Sequence, residues 1–314
     1  MSKRTQLVAA RLVAIIALIV AGLSSDVDAT SCNRADRCTS GDASSVSVSR
    51  RDPVITAAGD IAEREPSAAT RATARLVKSI DPTIALALGD NQYPDAAIKD
   101  FRTGYDPTWG DFLSKTRPTL GNHEYESSST AAGYFRYFGR RAPNNFYSFK
   151  VGTWHLISLD SNCAEVGCTP GTRQYEWLED DLEEHRATCT LAYWHHPRWS
   201  SGDSAGGTSS VAPFVRLLAH AGADVLLSGH EHNYERFAPQ TPAGERHRGG
   251  IVQFVVGTGG KSVSPLGSAE DNSLVRNDES FGVLRMTLHP ASYEFVFKSV
   301  LGARFRDAGS RRCR

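Results

Sequence analysis

Five times along this chain a short apolar run ends and a residue with a metal-binding side chain follows at once. Val54-Ile55-Thr56-Ala57-Ala58-Gly59 leads into Asp60. Ile84-Ala85-Leu86-Ala87-Leu88-Gly89 leads into Asp90, with Tyr93 three residues on. Pro118-Thr119-Leu120-Gly121 leads into Asn122, His123 and Glu124. Leu191-Ala192-Tyr193-Trp194 leads into His195 and His196, and Val225-Leu226-Leu227-Ser228-Gly229 into His230, Glu231 and His232. Apolar runs this short read as buried strands. In open α/β sheets the site lies at the carboxyl ends of strands, so the five loops can converge.

The rest of the chain agrees with an α/β fold. Residues 54–58, 83–88, 189–194 and 224–227 read as buried strands, and 66–80, 173–185 and 212–220 have helical spacing of apolar residues. Segments 146–150, 154–159, 251–256, 282–288 and 293–298 read as antiparallel strands. Together they predict two packed sheets flanked by helices. The stretches 200–210 and 257–278 read as long soft loops. Gly257-Thr258-Gly259-Gly260-Lys261 lacks the spacing of a nucleotide-binding P-loop. Trp199, Tyr134 and Tyr137 read as core aromatics sooner than as a substrate groove.

Carboxylates, imidazoles and an amide oxygen suit borderline to hard divalent or trivalent ions. One Asp can bridge two ions with its two oxygens, and two ions about 3.5–4 Å apart can hold both oxygens of a displacement. Glycine precedes the ligand in four of the five loops, letting the backbone turn sharply and come close. Each motif alone is a weak signal, since Gly-Asp is usually a turn and His-x-His is common by chance. Five in order are not. The other five histidines, His155, His185, His220, His247 and His289, lack such a context and read as structural or exposed.

Lys3 and Arg4 precede an apolar run over 7–23 that closes on Val27-Asp28-Ala29, the pattern of a secretory signal peptide cleaved before Thr30. An uncleaved anchor is the competing reading, since the run is near the lower spanning length. Ala29-Thr30-Ser31 before Cys32 lacks the Leu of a lipobox. Residues 30–51 read as a flexible Ser-rich lead-in and 52–314 as one folded domain with no further membrane span. Six cysteines in an exported chain favour disulfides, with fifteen possible connectivities. Cys163 with Cys168, and Cys32 with Cys38, are close enough for small loops, which would leave Cys189 for Cys313; free buried thiols are the alternative. Thirty-five basic and 35 acidic residues balance, which argues against a sequence-blind nucleic-acid binder.

The ordered set GD / GDxxY / GNHE / WHHP / GHxH resembles the calcineurin-like metallophosphoesterase superfamily. With Tyr93 and Gly229-His230-Glu231-His232-Asn233-Tyr234-Glu235-Arg236 it looks most like the purple acid phosphatase branch. The resemblance covers about residues 53–298 and implies a four-layer sandwich of two mixed β-sheets flanked by helices. It implies one ion, ferric in that branch, on Asp60, Asp90, Tyr93 and His232. A second ion, zinc, iron or manganese, would sit on Asp90, Asn122, His195 and His230, with Asp90 as the bridge. A metal-bound hydroxide would be the nucleophile and His123 would contact the phosphate and aid the leaving group. His196 lies where the branch varies: a phosphate contact, a proton donor, or a ring stacked on Trp194 or Trp199. Ala62 stands where the first motif, Asp-x-Gly, has glycine, and Ala192 where the fourth usually begins with Val. Tyr93 is either a ligand or a hydrogen-bond donor to ligands, and in the second case both ions would be divalent.

The expected function is a secreted phosphatase that hydrolyses small phosphomonoesters. A phosphodiesterase or nucleotidase on the same ions is the alternative, and a metal-bearing binding protein without turnover a third.

Overall fold

A computed structural model describes residues 52–314. The signal-peptide reading, the lead-in and the Cys32–Cys38 pairing lie outside the described residues. Thirteen strands follow in chain order: β1 (Val54–Ala58), β2 (Ile84–Leu88), β3 (Thr116–Thr119), β4 (Tyr147–Val151), β5 (Trp154–Ser158), β6 (Thr190–Tyr193), β7 (Val225–Ser228), β8 (Tyr234–Phe237), β9 (Val252–Val256), β10 (Ser273–Asn277), β11 (Gly282–His289), β12 (Ser292–Ser299) and β13 (Ala308–Arg312). They form two mixed sheets, ordered β13-β12-β11-β1-β2-β3 and β10-β8-β9-β7-β6-β5-β4. In the first, β1, β2 and β3 run parallel; in the second, β5, β6, β7 and β9 do.

Side chains alternate across a strand, and the central strands β6, β7 and β9 of the second sheet are buried on both faces. Leu191 and Tyr193 of β6, Val225 and Leu227 of β7, and Phe254 and Val256 of β9 join the core shared with Leu86, Leu284 and Phe297 of the first sheet. The residues between them, Ala192, Leu226 and Val255, face a separate cluster with Leu178, Phe214 and Leu218 on helices Arg173–Glu184 and Ala212–His220. That is why these strands read as unbroken apolar runs. Helix Ala68–Ile80 starts where the Ser67 hydroxyl accepts from the Thr70 N–H and stops at Asp81, whose φ is 49°. Its buried residues Thr70, Thr73, Ala74 and Val77 form one stripe, and Ala74 and Val77 join the hydrophobic cluster that includes the first sheet. The result is the expected four-layer arrangement.

Three expectations need correction. β5 and β9 are antiparallel to β4 and β8 but parallel to β6 and β7, because each has an antiparallel outer neighbour on one side and a parallel central strand on the other. The stretch 257–278 contains β10, an edge strand with alternating exposure whose only apolar residues are Leu274 and Val275. The 200–210 loop is tied down. The buried Glu231 carboxylate accepts the Ala205 and Gly206 N–H groups at 2.6 and 2.7 Å, and Glu235 accepts from Ser201 N–H at 2.7 Å. Disulfides join Cys163 to Cys168 and Cys189 to Cys313. Trp199 and Tyr134 are buried, and Tyr137 stacks on Phe101. Among the described residues no helix is long and apolar enough to cross a membrane.

Candidate metal centre

Parallel strands end on the same side, so the first sheet delivers Asp60, Asp90 and Asn122, and the second His195 and His230, to one seam. The sheets are stitched there by the Gly59 N–H on the Val256 carbonyl and the His230 N–H on Asp60 Oδ2, each 2.9 Å. Asp60, Asp90 and His230 sit at φ of 60°, 47° and 69°. Asp and His enter this left-handed region more readily than most residues, and its strain is kept where a site dictates the side-chain direction.

The polar atoms are crowded. His195 Nε2 lies 3.3 Å from Asp90 Oδ2, and His232 Nε2 3.3 Å from Asp60 Oδ1. The Tyr93 hydroxyl is 2.9 Å from Asp60 Oδ1, 2.9 Å from Asp90 Oδ2 and 3.1 Å from His232 Nε2. His230 Nδ1 is 3.2 Å from His195 Nε2. Donor atoms of Asp60, Asp90 and His195 all lie within 4.8 Å of one another, as do those of His195, His196 and His230. Asn122 Oδ1 is buried without a protein partner. Two buried carboxylates, several imidazoles and an orphaned amide oxygen are satisfied together by cations, so the residues fit the family's dinuclear site.

The electrostatics point the same way. Burial opposes ionisation of Asp90, but the His195 and His123 imidazoles override it and hold the carboxyl well below its usual range. Burial would lower His195; Asp90, Asp60 and the Leu88 carbonyl push it up instead. Burial, then the charges on Asp60 and Asp90, hold the Tyr93 phenol protonated. Burial followed by His195 lowers His230 to about 4. His196 is lowered to about 2 by burial and then by His195 and His230. It packs against His230 with ring centroids 4.4 Å apart and the planes tilted by 53°, and its Nδ1 is 2.8 Å from Ser161 Oγ. His123 Nδ1 bonds the Pro94 carbonyl, which turns Nε2 toward Asp90 Oδ2 at 3.8 Å; the ring remains partly open to solvent.

Several contributing residues were not singled out from the sequence. The buried Glu124 carboxylate accepts the N–H groups of Asp90, Asn91 and Gly121 at 2.9, 2.9 and 2.6 Å, locking the second loop to the third. Ser262 orients His232 through Nδ1 at 2.6 Å, and the Leu88 carbonyl orients His195 at 2.8 Å. Lys261, in the glycine-rich stretch, lies over the Tyr93 ring at 5.0 Å, and its N–H bonds the Asp60 carbonyl. Only Glu124 had a visible signal, its place beside Asn122 and His123.

Purple acid phosphatase 22 of Arabidopsis thaliana is 28% identical over 250 residues, covering 68% of this chain and 54% of that protein. Purple acid phosphatase 21 of the same plant is 30% identical over 188 residues, 52% of this chain and 40% of the relative. A third, named probable inactive purple acid phosphatase 9, is 25% identical over 270 residues, covering 65% of this chain and 39% of its own length. The chain therefore matches about half or less of each of these relatives. A purple acid phosphatase from yellow lupin seeds shares the fold with a TM-score of 0.68 at 17% identity, over 82% of this chain and 53% of that one. GAP50 of Plasmodium, the anchor in the inner membrane complex, superposes with a TM-score of 0.67 at 16% identity over 84% and 90%. The profile of the calcineurin-like phosphoesterases matches residues 53–234, so the chain belongs to that family.

Proposed function

We propose that this protein is an exported phosphatase that hydrolyses small phosphomonoesters at a dinuclear centre. The observation that carries the reading is the convergence of Asp60, Asp90, Asn122, His195, His230 and His232 on one seam, with Asn122 Oδ1 unpartnered and His123 open on the rim. Asp60, Asp90, Tyr93 and His232 would hold one ion, and Asp90, Asn122, His195 and His230 the other. The ions supply Lewis acidity and make a nucleophile of water at neutral pH. A phenolate suits a ferric ion and the mixed nitrogen and oxygen set a divalent zinc, iron or manganese. Tyr93 must release the proton it now shares with Asp60 and Asp90 to ligate, so a visible charge-transfer band reads its role directly.

The protein's side chains then handle charge and protons. A bond forms from the water oxygen to phosphorus while the ester P–O bond breaks, and the leaving oxygen takes the electron pair. Protonated His123 supplies the proton from Nε2, since Nδ1 is occupied by the Pro94 carbonyl. His196, neutral and fixed by Ser161, serves as a hydrogen-bonding wall and not as an acid. Export is supported by two disulfides, which persist in oxidising compartments, and by the apolar leader. N-terminal sequencing of secreted protein should begin at Thr30.

The test is a panel of a chromogenic phosphomonoester and diester with wild type, Asp90→Asn and His123→Ala. Loss of monoester turnover in Asp90→Asn, and a fall of about 10²–10⁴ in His123→Ala, supports the reading. Unchanged turnover in both sinks it, and no turnover by metal-loaded wild type makes the chain a binder. One observation favours diesters. Two open depressions flank the centre, one with Asn122, Ser161 and His196, the other with Arg64, Tyr93 and Lys261, leaving room for two ester groups. A higher kcat/KM on the diester would decide for that reading.

A further inference from the structure

At the other end of the second sheet a cavity of about 450 Å³ is lined by His155, Glu183, His185, Thr190 and His220, among others. Thr190 begins β6 and His155 lies near the start of β5, opposite the strand ends that carry the metallophosphoesterase centre. His155 projects to the helix side, since its neighbours Trp154 and Leu156 face the inter-sheet core and Ile157 the helix cluster. There it meets Asp181 of helix Arg173–Glu184, with Nε2 3.0 Å from Oδ2. His185, one turn on, places Nδ1 3.0 Å from Asp181 Oδ1.

Two features mark this as more than an ion-pair cluster. His155 is 1% exposed, yet its Nδ1 has no hydrogen-bond partner, and its Nε2 meets only Asp181 Oδ2, in an ion-pair contact poorly aligned for a hydrogen bond. A buried orphaned imidazole is costly. Donor atoms of all three residues lie within 4.8 Å of one another. Ligands about 2.0–2.1 Å from a tetrahedral zinc are roughly 3.3 Å apart, so the trio closes on an ion with side-chain movement alone.

We propose that His155, Asp181 and His185 bind a third divalent transition-metal ion of the zinc class, remote from the hydrolytic centre. Two imidazoles and one carboxylate suit zinc better than calcium or magnesium, which take oxygen ligands. The ion would clip helix Arg173–Glu184 to β5, and the cavity leaves its remaining positions to water or a small anion.

The test titrates zinc into protein whose hydrolytic centre is already filled, with bound metal counted by mass spectrometry and Tm followed. Wild type should bind one more equivalent than His185→Ala or Asp181→Asn, and only wild type should show the zinc-dependent rise in Tm. His185 is partly exposed, so its truncation should leave fold and hydrolysis unchanged. Equal zinc stoichiometry in wild type and His185→Ala, or a wild-type Tm indifferent to zinc, overturns the proposal.

Discussion

Gly121 offers a sharp test of how the centre is assembled. A Cβ there would lie 2.1 Å from Asp90 Oδ1 and 2.3 Å from Asp90 N, where ordinary contacts begin at 3.4 Å. The loop cannot retreat cheaply, because the Gly121 and Asp90 N–H groups are both held by Glu124 Oε2. Relief in Gly121→Ala therefore moves the Asp90 carboxylate by more than 1 Å. Metal ligands tolerate about 0.2 Å, and a 1 Å misplacement costs about 10²-fold in rate, or ~2.7 kcal/mol of transition-state stabilisation. The assay is kcat/KM on a chromogenic phosphomonoester, with metal content and Tm measured on the same sample. A value within about threefold of wild type, with both ions retained, refutes the view that Asp90 must hold its present place. The glycine is needed for close approach here, whereas Gly89, at φ of 84°, also needs the left-handed backbone.

Three further outcomes are expected. Asp307→Ala strips the bidentate partner of Arg236, at 2.6 and 3.1 Å, and the 2.8 Å acceptor of buried Tyr234. Urea unfolding should show a loss of about 3–5 kcal/mol, and a loss under 1 kcal/mol contradicts the role. Burial opposes ionisation of Asp181, but His155, Ser148 and His185 outweigh it and lower its pKa. Its contribution is complete above the unfolded value of 3.8 and lost as pH falls through the folded one. In chelator, the stability gap between wild type and Asp181→Asn should narrow from pH 5 toward pH 3; a constant gap counts against the pairing. Chelation should abolish hydrolysis and lower Tm. Readdition of metal at pH 7 should release protons into weak buffer, because His195 is pushed toward its charged form by Asp90 and must be neutral to ligate.

What could be read from residues alone follows burial. β1, β2, β6 and β7 are covered on both faces and announce themselves as apolar runs. β10 (SLVRN) and β13 (AGSRR) are edge strands defined by backbone pairing to β8 and β12, and they lack the unbroken apolar run of a buried strand. The strand-end aspartates and histidines were legible because chemistry and position coincide in one short motif. Glu124 and Ser262 act on partners about 30 residues away, which only the folded chain brings near. His155, His185 and His220 read as isolated, and the fold gathers all three around one cavity.

The Cys189–Cys313 bridge fastens the end of the chain beside the start of β6, and the Arg314 N–H donates to Asp224 Oδ1 at 3.0 Å. Mechanically, this reroutes load. Tension on the last residue of a reduced chain would first unzip β13, an exposed strand paired only with β12. With the bridge intact the same tension bypasses that edge and enters β6, held in shear between β5 and β7. Pulled from its carboxyl end, the oxidised protein should yield only when the middle of the second sheet gives way.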